Sequence, residues 1–180
     1  MKGIFKTTAG EIASITGGRI VAGADNVSLE TITTDSRELG ENNLFIPIIG
    51  EKFDGHDFIP ELLKSGKVSC SLTMKEGFEA AAAESGKTLI KCDDTLAALG
   101  RIAKYYRNRF SALTIGITGT NGKTTTKELL YSVLSAKYNT LRNTKNYNNE
   151  IGVPFTLFQM ESFHEAAVIE MGMNHTGEIE

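Results

Sequence analysis

The sequence predicts an α/β protein in two parts, a small mixed-sheet N-terminal domain followed by a mainly parallel-sheet domain with a phosphate-binding loop (P-loop). Two observations carry this prediction. Short β-rich runs alternate with helical segments along the chain, which favours parallel strands joined by right-handed crossovers. An apolar run at 113–117 also leads into a glycine-rich turn and then into a helical pattern. We expect the domains to be 1–93 and 94–180.

Composition excludes several classes of partner. The chain has 180 residues, is 41% hydrophobic and carries a formal net charge of −3. This charge provides no basic field for nucleic acid, so we expect no nucleic-acid partner. No apolar run approaches the roughly 20 residues that span a bilayer, and residues 1–6 lack the apolar core of a signal peptide. We therefore expect a cytoplasmic monomer without membrane insertion.

The first domain has signals for three helices and five strands. Thr8 and Glu11 form a capping box, which predicts a short helix that ends at Gly17 and Gly18. Two more helices are indicated, one after Pro60 and one over the alanine run 80–83. The β-rich runs are 19–22, 29–33, 44–49, 68–72 and 88–92.

The second domain begins with Asp94, the predicted N-cap of a helix whose apolar face runs from Leu96 to Tyr106. The later predicted elements are a strand at 113–117, a helix to about 137, a polar stretch at 143–150, a helix at 154–160 and a strand at 166–171. Nucleotide-binding sheets of this kind normally have about five strands or more, and only two are evident here. We therefore expect the N-terminal part of a longer protein.

The stretch 113–127 predicts a site for nucleotide phosphates. Glycines in the turn let the backbone approach phosphate oxygens, and the following helix directs free N–H groups at an anion. Lys123 can reach the β- and γ-phosphates, and the Thr124 hydroxyl can ligate Mg²⁺. The residues expected to contact the nucleotide are Gly119, Thr120, Asn121, Gly122, Lys123, Thr124 and Thr125. An ordinary glycine turn before a helix is the alternative interpretation.

The loop departs from the usual spacing in one respect. The common nucleotide loop has about four residues between its first glycine and its Gly-Lys-Ser/Thr. Here Ile117 stands in the place of that first glycine, and Gly116 lies one residue earlier.

Polar residues near the ends of other strands are further candidates. Glu170 lies near the carboxyl end of the last predicted strand, where a carboxylate would face a metal at the loop, although a solvated edge charge is the alternative. The segment 143–152 concentrates amide side chains suited to a polar, anionic substrate, or it is a solvated loop. His56 is expected to be a turn or packing residue. His175 is expected to cap or line the next helix rather than to bind metal.

Six segments, taken in order, resemble the Mur ligase family over the whole chain. They read T-D-S-R, L-F-I-P-I-I-G-E-K-F-D-G-H-D-F, D-D-T-L-A-A-L-G, G-I-T-G-T-N-G-K-T-T-T-K-E, N-Y-N-N-E-I-G-V-P-F-T-L and I-E-M-G-M-N-H-T-G-E-I. The resemblance implies an ATP-dependent amide-bond ligase of peptidoglycan precursor synthesis that works through an acyl phosphate. The last two segments favour the member that adds D-Ala-D-Ala to a UDP-N-acetylmuramoyl-tripeptide over the sister ligase that adds the third peptide residue.

The resemblance also implies roles for particular residues. ATP would bind at 119–125, Mg²⁺ would bind Thr124 and Glu170, and Lys123 and Glu170 would be catalytic. The residues implied to contact the UDP-linked substrate are Thr34, Asp35, Ser36, Arg37, Glu51, Lys52, Phe53, Asn148 and Asn149. Because family members need later residues for a second metal and for a third domain, the 180-residue chain alone is expected to be inactive. A stand-alone nucleotide-binding module without catalysis is the alternative of a different class.

Overall fold

The computed structural model describes residues 2–144 and 147–173, and the chain divides into two compact units, Met1–Ile102 and Ala103–Glu180. The strands are β1 (Lys2–Thr8), β2 (Arg19–Ala22), β3 (Ser28–Thr33), β4 (Asn43–Phe45), β5 (Cys70–Thr73), β6 (Thr88–Lys91), β7 (Leu113–Ile117), β8 (Thr140–Arg142) and β9 (Ala166–Glu170). The helices are α1 (Ala9–Thr16), α2 (Ile59–Lys64), α3 (Glu79–Ser85), α4 (Thr95–Arg107), α5 (Lys123–Ser135) and α6 (Gly152–Leu157), with a 3-10 helix at Gly55–Phe58. The division falls inside α4, and the domain boundary at 93/94 stays a prediction.

Unit 1 is built on a mixed sheet whose strand order is β1-β3-β4-β5-β6-β2. The four central strands are parallel, and the two flanking strands run antiparallel to their neighbours. The carboxyl ends of the central strands therefore meet at one edge of the sheet, where α/β proteins gather their ligands. The segments that follow β3 and β4 begin at this edge.

Local signals set both ends of α1. The Thr8 hydroxyl accepts from the Glu11 amide at 3.2 Å, and the Thr8 amide donates to the Glu11 carboxylate at 3.1 Å, so the predicted capping box is confirmed. Gly17, with φ of +67°, ends α1 in the left-handed region. The core beneath α2 and α3 is apolar and consists of Phe45, Ile59, Leu62, Leu63, Val68, Ala82 and Leu89.

Unit 2 contains a parallel sheet, with β9 between β7 and β8 in the described residues. The preceding helix α4 begins in unit 1, where the amides of Leu96 and Ala97 donate to Asp94 at 2.8 and 3.0 Å, which confirms the predicted N-cap of α4. Aromatic rings pack behind the sheet, where Tyr106 lies 5.6 Å from Phe158 between ring centroids. The predicted α/β class, with a mixed sheet followed by a parallel one, is confirmed.

Some strands differ from their predicted bounds. β1 was not predicted, because Lys2, Gly3 and Lys6 interrupt its apolar residues and leave no clear strand pattern. The strand forms through antiparallel pairing with β3. β8 was also not predicted, since three residues are too few to establish a period. The predicted run 44–49 was wrong beyond Phe45. Pro47, which has no N–H to donate, lies in the part that leaves the ladder.

In the part of the chain that the structure describes, no helix combines the length and the apolar character needed to cross a bilayer.

Candidate functional site

The glycine-rich turn of unit 2 lies between β7 and α5, as predicted. Gly119 has φ of +146° and Gly122 has φ of +77°. Residues other than glycine rarely adopt these backbone conformations. Gly122 is the residue immediately before α5, and it offers no side-chain cap to the helix. The first amide groups of a helix have no intrahelical acceptor, so those of Lys123 and its neighbours are available for an anion.

Lys123 folds back over this turn. Its Nζ donates to the Gly119 carbonyl oxygen at 2.6 Å, which holds the ammonium at the mouth of the loop. A cation and a helix N-terminus thus act on the same small volume, and both favour negative charge there. Thr120, Asn121 and Thr125 are exposed on the same stretch.

Glu170 is placed beside the loop by strand pairing. β7 and β9 are parallel with Ile117 opposite Glu170, so both strands end at the same level of the sheet. The Thr124 hydroxyl donates to the Glu170 carboxylate, with its Oγ1 at 3.0 and 3.2 Å from the two oxygens. Glu170 is only 4% exposed, which is uncommon for a carboxylate and requires partners.

Two further side chains contact the Glu170 carboxylate. The Asn148 amide donates to Oε1 at 2.9 Å, and the Lys127 Nζ lies 3.4 Å from Oε2. Burial raises the pKa of Glu170, but the hydrogen bonds from Asn148, Thr124 and Lys127 outweigh burial and leave this pKa below its usual value. Glu170 is therefore ionised at neutral pH.

Asn143 fixes the backbone of Glu170. Its Oδ1 accepts from the Glu170 amide at 2.9 Å, and its Nδ2 donates to the Glu170 carbonyl at 2.8 Å and to the Tyr147 carbonyl at 2.8 Å. Asn143 directly follows β8, so its side chain extends the pairing of β8 with β9 by one residue. This role of Asn143 was not predicted from the sequence. Its position at the start of an amide-rich segment was the available signal.

The oxygen donors at this point suit a small divalent cation. Mg²⁺ takes hard oxygen ligands and is usually held by one or two protein groups, with phosphates and water completing its coordination. The Thr124 hydroxyl and the Glu170 carboxylate meet at the mouth of a loop shaped for phosphate, which provides such a set. No group of three or more His, Cys, Asp or Glu side chains that could hold a metal occurs in residues 2–144 and 147–173.

Gly116 lies against the flexible end of the Met171 side chain. A Cβ at this position would lie 2.5 Å from the Met171 Cε. Met171 directly follows Glu170, and its amide donates to the Ile117 carbonyl at 2.8 Å. The end of the Met171 side chain can move, so this contact by itself does not require glycine at position 116.

In unit 1, the segment 34–37 forms a tight turn after β3. The Asp35 carboxylate accepts from the Arg37 Nε at 2.8 Å, from its Nη2 at 2.7 Å and from its backbone amide at 3.0 Å. These hydrogen bonds from Arg37 hold the pKa of Asp35 well below its usual value. Thr34 and Ser36 are half-buried, whereas the Arg37 side chain is exposed. The turn presents a fixed guanidinium at the carboxyl edge of the sheet.

The segment 50–53 forms the tip of a second turn, in the stretch of chain that follows β4. The Gly50 amide donates to the Phe53 carbonyl at 2.9 Å, and Ile49 pairs with Asp54 below the tip. Glu51 and Lys52 are exposed, and the Phe53 ring is 71% exposed. An exposed aromatic ring on a tight turn is available for stacking on a ligand.

Asp54 and His56 hold this turn in place. The His56 Nδ1 lies 2.5 Å from the Asp54 Oδ1, the Met74 amide donates to the His56 Nε2 at 3.3 Å, and Lys75 forms an ion pair with Asp54. His56 is fully buried, which matches its predicted packing role. Burial raises the pKa of Asp54, but hydrogen bonds from Lys75 and His56 lower this pKa by more than burial raises it. The pKa of Asp54 therefore lies below its usual value.

The structure brings some of the predicted site residues together and separates others. Lys123, Thr124, Glu170 and Asn148 converge at the loop of unit 2. Asn149 does not join them: its Oδ1 accepts from the Gly152 amide at 2.7 Å, at the first residue of α6. Thr34, Asp35, Ser36 and Arg37 lie in unit 1, as do Glu51, Lys52 and Phe53. Residues 145–146 and 174–180, with His175, lie outside the described residues.

A glycine turn between a parallel strand and a helix, with a carboxylate from the adjacent strand end, defines unit 2 as a P-loop α/β domain. A profile described as the Mur ligase middle domain matches residues 117–180, and one described as Mur ligase family, catalytic domain, matches residues 28–107. The chain belongs to the Mur ligase family.

Curated relatives cover nearly the whole chain. The UDP-N-acetylmuramoyl-tripeptide--D-alanyl-D-alanine ligase of Bacillus subtilis is 36% identical over 178 residues, which is 98% of this chain and 38% of the relative. The ligase of the same name from Synechocystis is 41% identical over 159 residues, covering 87% of this chain and 34% of the relative. The chain thus spans little more than a third of the length of these relatives.

Solved structures show the same fold. A crystal structure of MurF from Acinetobacter baumannii matches with a TM-score of 0.85 and 31% identity, covering 98% of this chain and 38% of that chain. MurF ligase from Thermotoga maritima, solved in complex with ADP, matches with a TM-score of 0.71 and 30% identity, covering 82% of this chain and 33% of that chain. The fold class predicted from the sequence agrees with both.

Proposed function

We propose that the chain is the substrate-binding and nucleotide-binding part of an ATP-dependent ligase that adds D-Ala-D-Ala to a UDP-N-acetylmuramoyl-tripeptide. The observation that carries the proposal is the contact between Thr124, at the start of α5, and Glu170, at the end of β9, with Oγ1 to carboxylate distances of 3.0 and 3.2 Å. This pair stands at the mouth of a loop that has free amides and a lysine. The printed names of the relatives support the choice of substrates.

The loop would bind the phosphates of ATP. The amides of 119–125 and the positive end of α5 attract the phosphate oxygens, and Lys123 would turn from the Gly119 carbonyl towards the β- and γ-phosphates. Thr124 and Glu170 would hold Mg²⁺, whose charge offsets the negative charge on the transferred phosphoryl oxygens. Lys123 and Glu170 would be the catalytic residues of this chain.

Asn148 would act close to the same centre. Its amide holds the Glu170 carboxylate, and its carbonyl accepts from the Gly172 amide at 2.6 Å, so the segment that carries it is tied to the end of β9. If Asn148 also contacts the substrate, its side-chain amide must donate to both the substrate and the Glu170 carboxylate. A substrate contact by Asn149 would compete with the hydrogen bond that its Oδ1 accepts from the Gly152 amide at the first residue of α6.

Unit 1 would bind the UDP end of the peptide substrate. The guanidinium of Arg37 and the ammonium of Lys52 supply positive charge for a diphosphate, and the exposed Phe53 ring can stack on a base. Thr34, Asp35, Ser36 and Glu51 supply hydrogen-bonding groups at the same sheet edge. We also propose that the protein is a monomer that acts in the cytoplasm, where ATP and UDP-linked precursors are available.

A ligation assay tests this function. The full-length protein should release phosphate only when ATP, UDP-N-acetylmuramoyl-tripeptide and D-Ala-D-Ala are all present. Release with UDP-N-acetylmuramoyl-dipeptide and a single amino acid would assign the protein to the sister ligase. Nucleotide binding without phosphate release from any of these combinations would favour the stand-alone module.

The 180-residue chain by itself provides a second test. Because the proposed UDP contacts all lie in unit 1, calorimetry should detect binding of the UDP-linked tripeptide to the chain. Mg·ATP should bind weakly, because a loop alone encloses little of the adenine. Phosphate release by the chain that depends on both substrates would contradict our expectation that it is inactive.

A further inference from the structure

Lys127 is a buried lysine that the proposed function does not use. Its side chain is 2% exposed, although lysine is almost never fully buried unless it is paired. Its Nζ lies 3.4 Å from the Glu170 Oε2 and 3.4 Å from the Glu128 Oε1. The ammonium therefore stands between two carboxylates.

One of these carboxylates already has another cation. Glu128 forms an ion pair with Arg142, whose guanidinium lies 3.9 Å above the Tyr131 ring. Glu170 has no second cation within 4 Å among residues 2–144 and 147–173, and its other partners there, Thr124 and Asn148, are neutral. Lys127 is therefore the counter-ion of Glu170.

The helix places this counter-ion behind the metal-binding face of Glu170. Lys127 follows Thr124 by three residues in α5, and side chains at this spacing lie on the same face of a helix. The Glu170 carboxylate thus accepts a hydrogen bond from Thr124 in the first turn of α5 and pairs with the ammonium of Lys127 one turn later. A buried carboxylate that lost its only cation would carry an uncompensated charge.

We propose that Lys127 is the resident counter-ion of Glu170: it holds the carboxylate in place before metal arrives and weakens its affinity for a free divalent cation. The proposal rests on the metal role of Glu170 given under the proposed function. Two cations that share one carboxylate oppose each other, so Lys127 and the metal are negatively coupled. The nucleotide phosphates add oxygen ligands and negative charge, so the site takes up the metal together with the nucleotide rather than in advance.

Metal binding without nucleotide tests the coupling. Mn²⁺ serves as the probe, and free Mn²⁺ is measured by electron paramagnetic resonance during titration of the full-length protein. Lys127→Met should bind Mn²⁺ about 5- to 150-fold more tightly than wild type when no nucleotide is present. A lysine that only supports packing would have the opposite effect, since its loss would loosen the site and weaken metal binding.

Controls separate charge from packing. Lys104→Met removes an exposed helical lysine and should leave Mn²⁺ affinity unchanged. Lys127→Met combined with Glu170→Gln should lose the added affinity, because the carboxylate that binds the metal is gone. Equal or weaker Mn²⁺ binding by folded Lys127→Met would overturn the proposal.

Variants of Lys127 that fail to fold also test the proposal. If Lys127→Met does not fold alone, Lys127→Gln should show the same tighter binding, since it removes the charge and keeps a hydrogen-bond donor. If neither variant folds, Mn²⁺ with ADP should restore the fold, and failure to do so would refute the proposal. Wild type that binds no Mn²⁺ with ADP would instead contradict the proposed function, so the two failures are distinguishable.

Discussion

Replacing Asn143 by alanine tests how the site is held together. The Asn143 amide group forms hydrogen bonds of 2.9, 2.8 and 2.8 Å to the Glu170 amide, the Glu170 carbonyl and the Tyr147 carbonyl. Each such bond contributes about 0.5–1.5 kcal/mol, and buried partners left unpaired cost more. Because Asn143 is buried, we expect Asn143→Ala to lower the free energy of unfolding of unit 2 by about 2–4 kcal/mol.

Urea unfolding followed by amide hydrogen exchange measures this loss. The Glu170 amide should exchange faster in Asn143→Ala, because its acceptor has been removed. Asn143→Asp should be no more stable than Asn143→Ala, since a carboxylate would face two carbonyl oxygens. Asn139→Ala, which truncates an exposed asparagine of the same unit, is the control. An unfolding free energy for Asn143→Ala within about 0.5 kcal/mol of wild type would refute the reasoning.

Three smaller predictions concern other parts of the chain. Gly116→Ala should be tolerated in a denaturant titration, because the added Cβ would meet only the flexible end of the Met171 side chain; a loss of more than about 1 kcal/mol of unfolding free energy would contradict this expectation. Thr124→Ala should weaken Mg²⁺-dependent turnover of the full-length protein by about a hundred-fold or more, as seen in a metal titration of the rate. The folded-state pKa of Asp54 lies below the unfolded value of 3.8, so its contribution to stability is present above about pH 4 and is lost as pH falls below that value. Asp54→Asn should therefore flatten the dependence of unfolding free energy on pH between about 4 and 2, and an unchanged slope would show that Asp54 is not responsible.

The sequence predicted best what is encoded locally. A turn with φ above zero strongly favours glycine, so Gly119 and Gly122 indicated the loop in the sequence. The capping box at Thr8 and the N-cap at Asp94 could likewise be predicted, because both depend on residues within one helical turn.

Contacts set by distant strand pairing could not be predicted in the same way. Thr124 and Glu170 are 46 residues apart, and only the register of β7 with β9 brings them together. Lys127 is buried on α5, which packs against β9, whereas a lysine in a helix pattern is ordinarily taken as exposed. Asn148 and Asn149 were both predicted to contact substrate, but nothing in the sequence distinguishes the side chain that donates to Glu170 from the one that accepts from the first amide of α6.

The most direct test of the nucleotide loop is the ligation rate of Lys123→Ala in the full-length protein. Lys123 packs over the loop and its ammonium contacts only the Gly119 carbonyl among the described residues, so circular dichroism should show an intact fold. The rate should fall by about a hundred- to a thousand-fold, the usual loss for a group that stabilises transferred charge. Lys104→Ala, at an exposed position of α4, should retain the wild-type rate. A rate for Lys123→Ala within a few-fold of wild type would contradict the assignment of this loop to ATP.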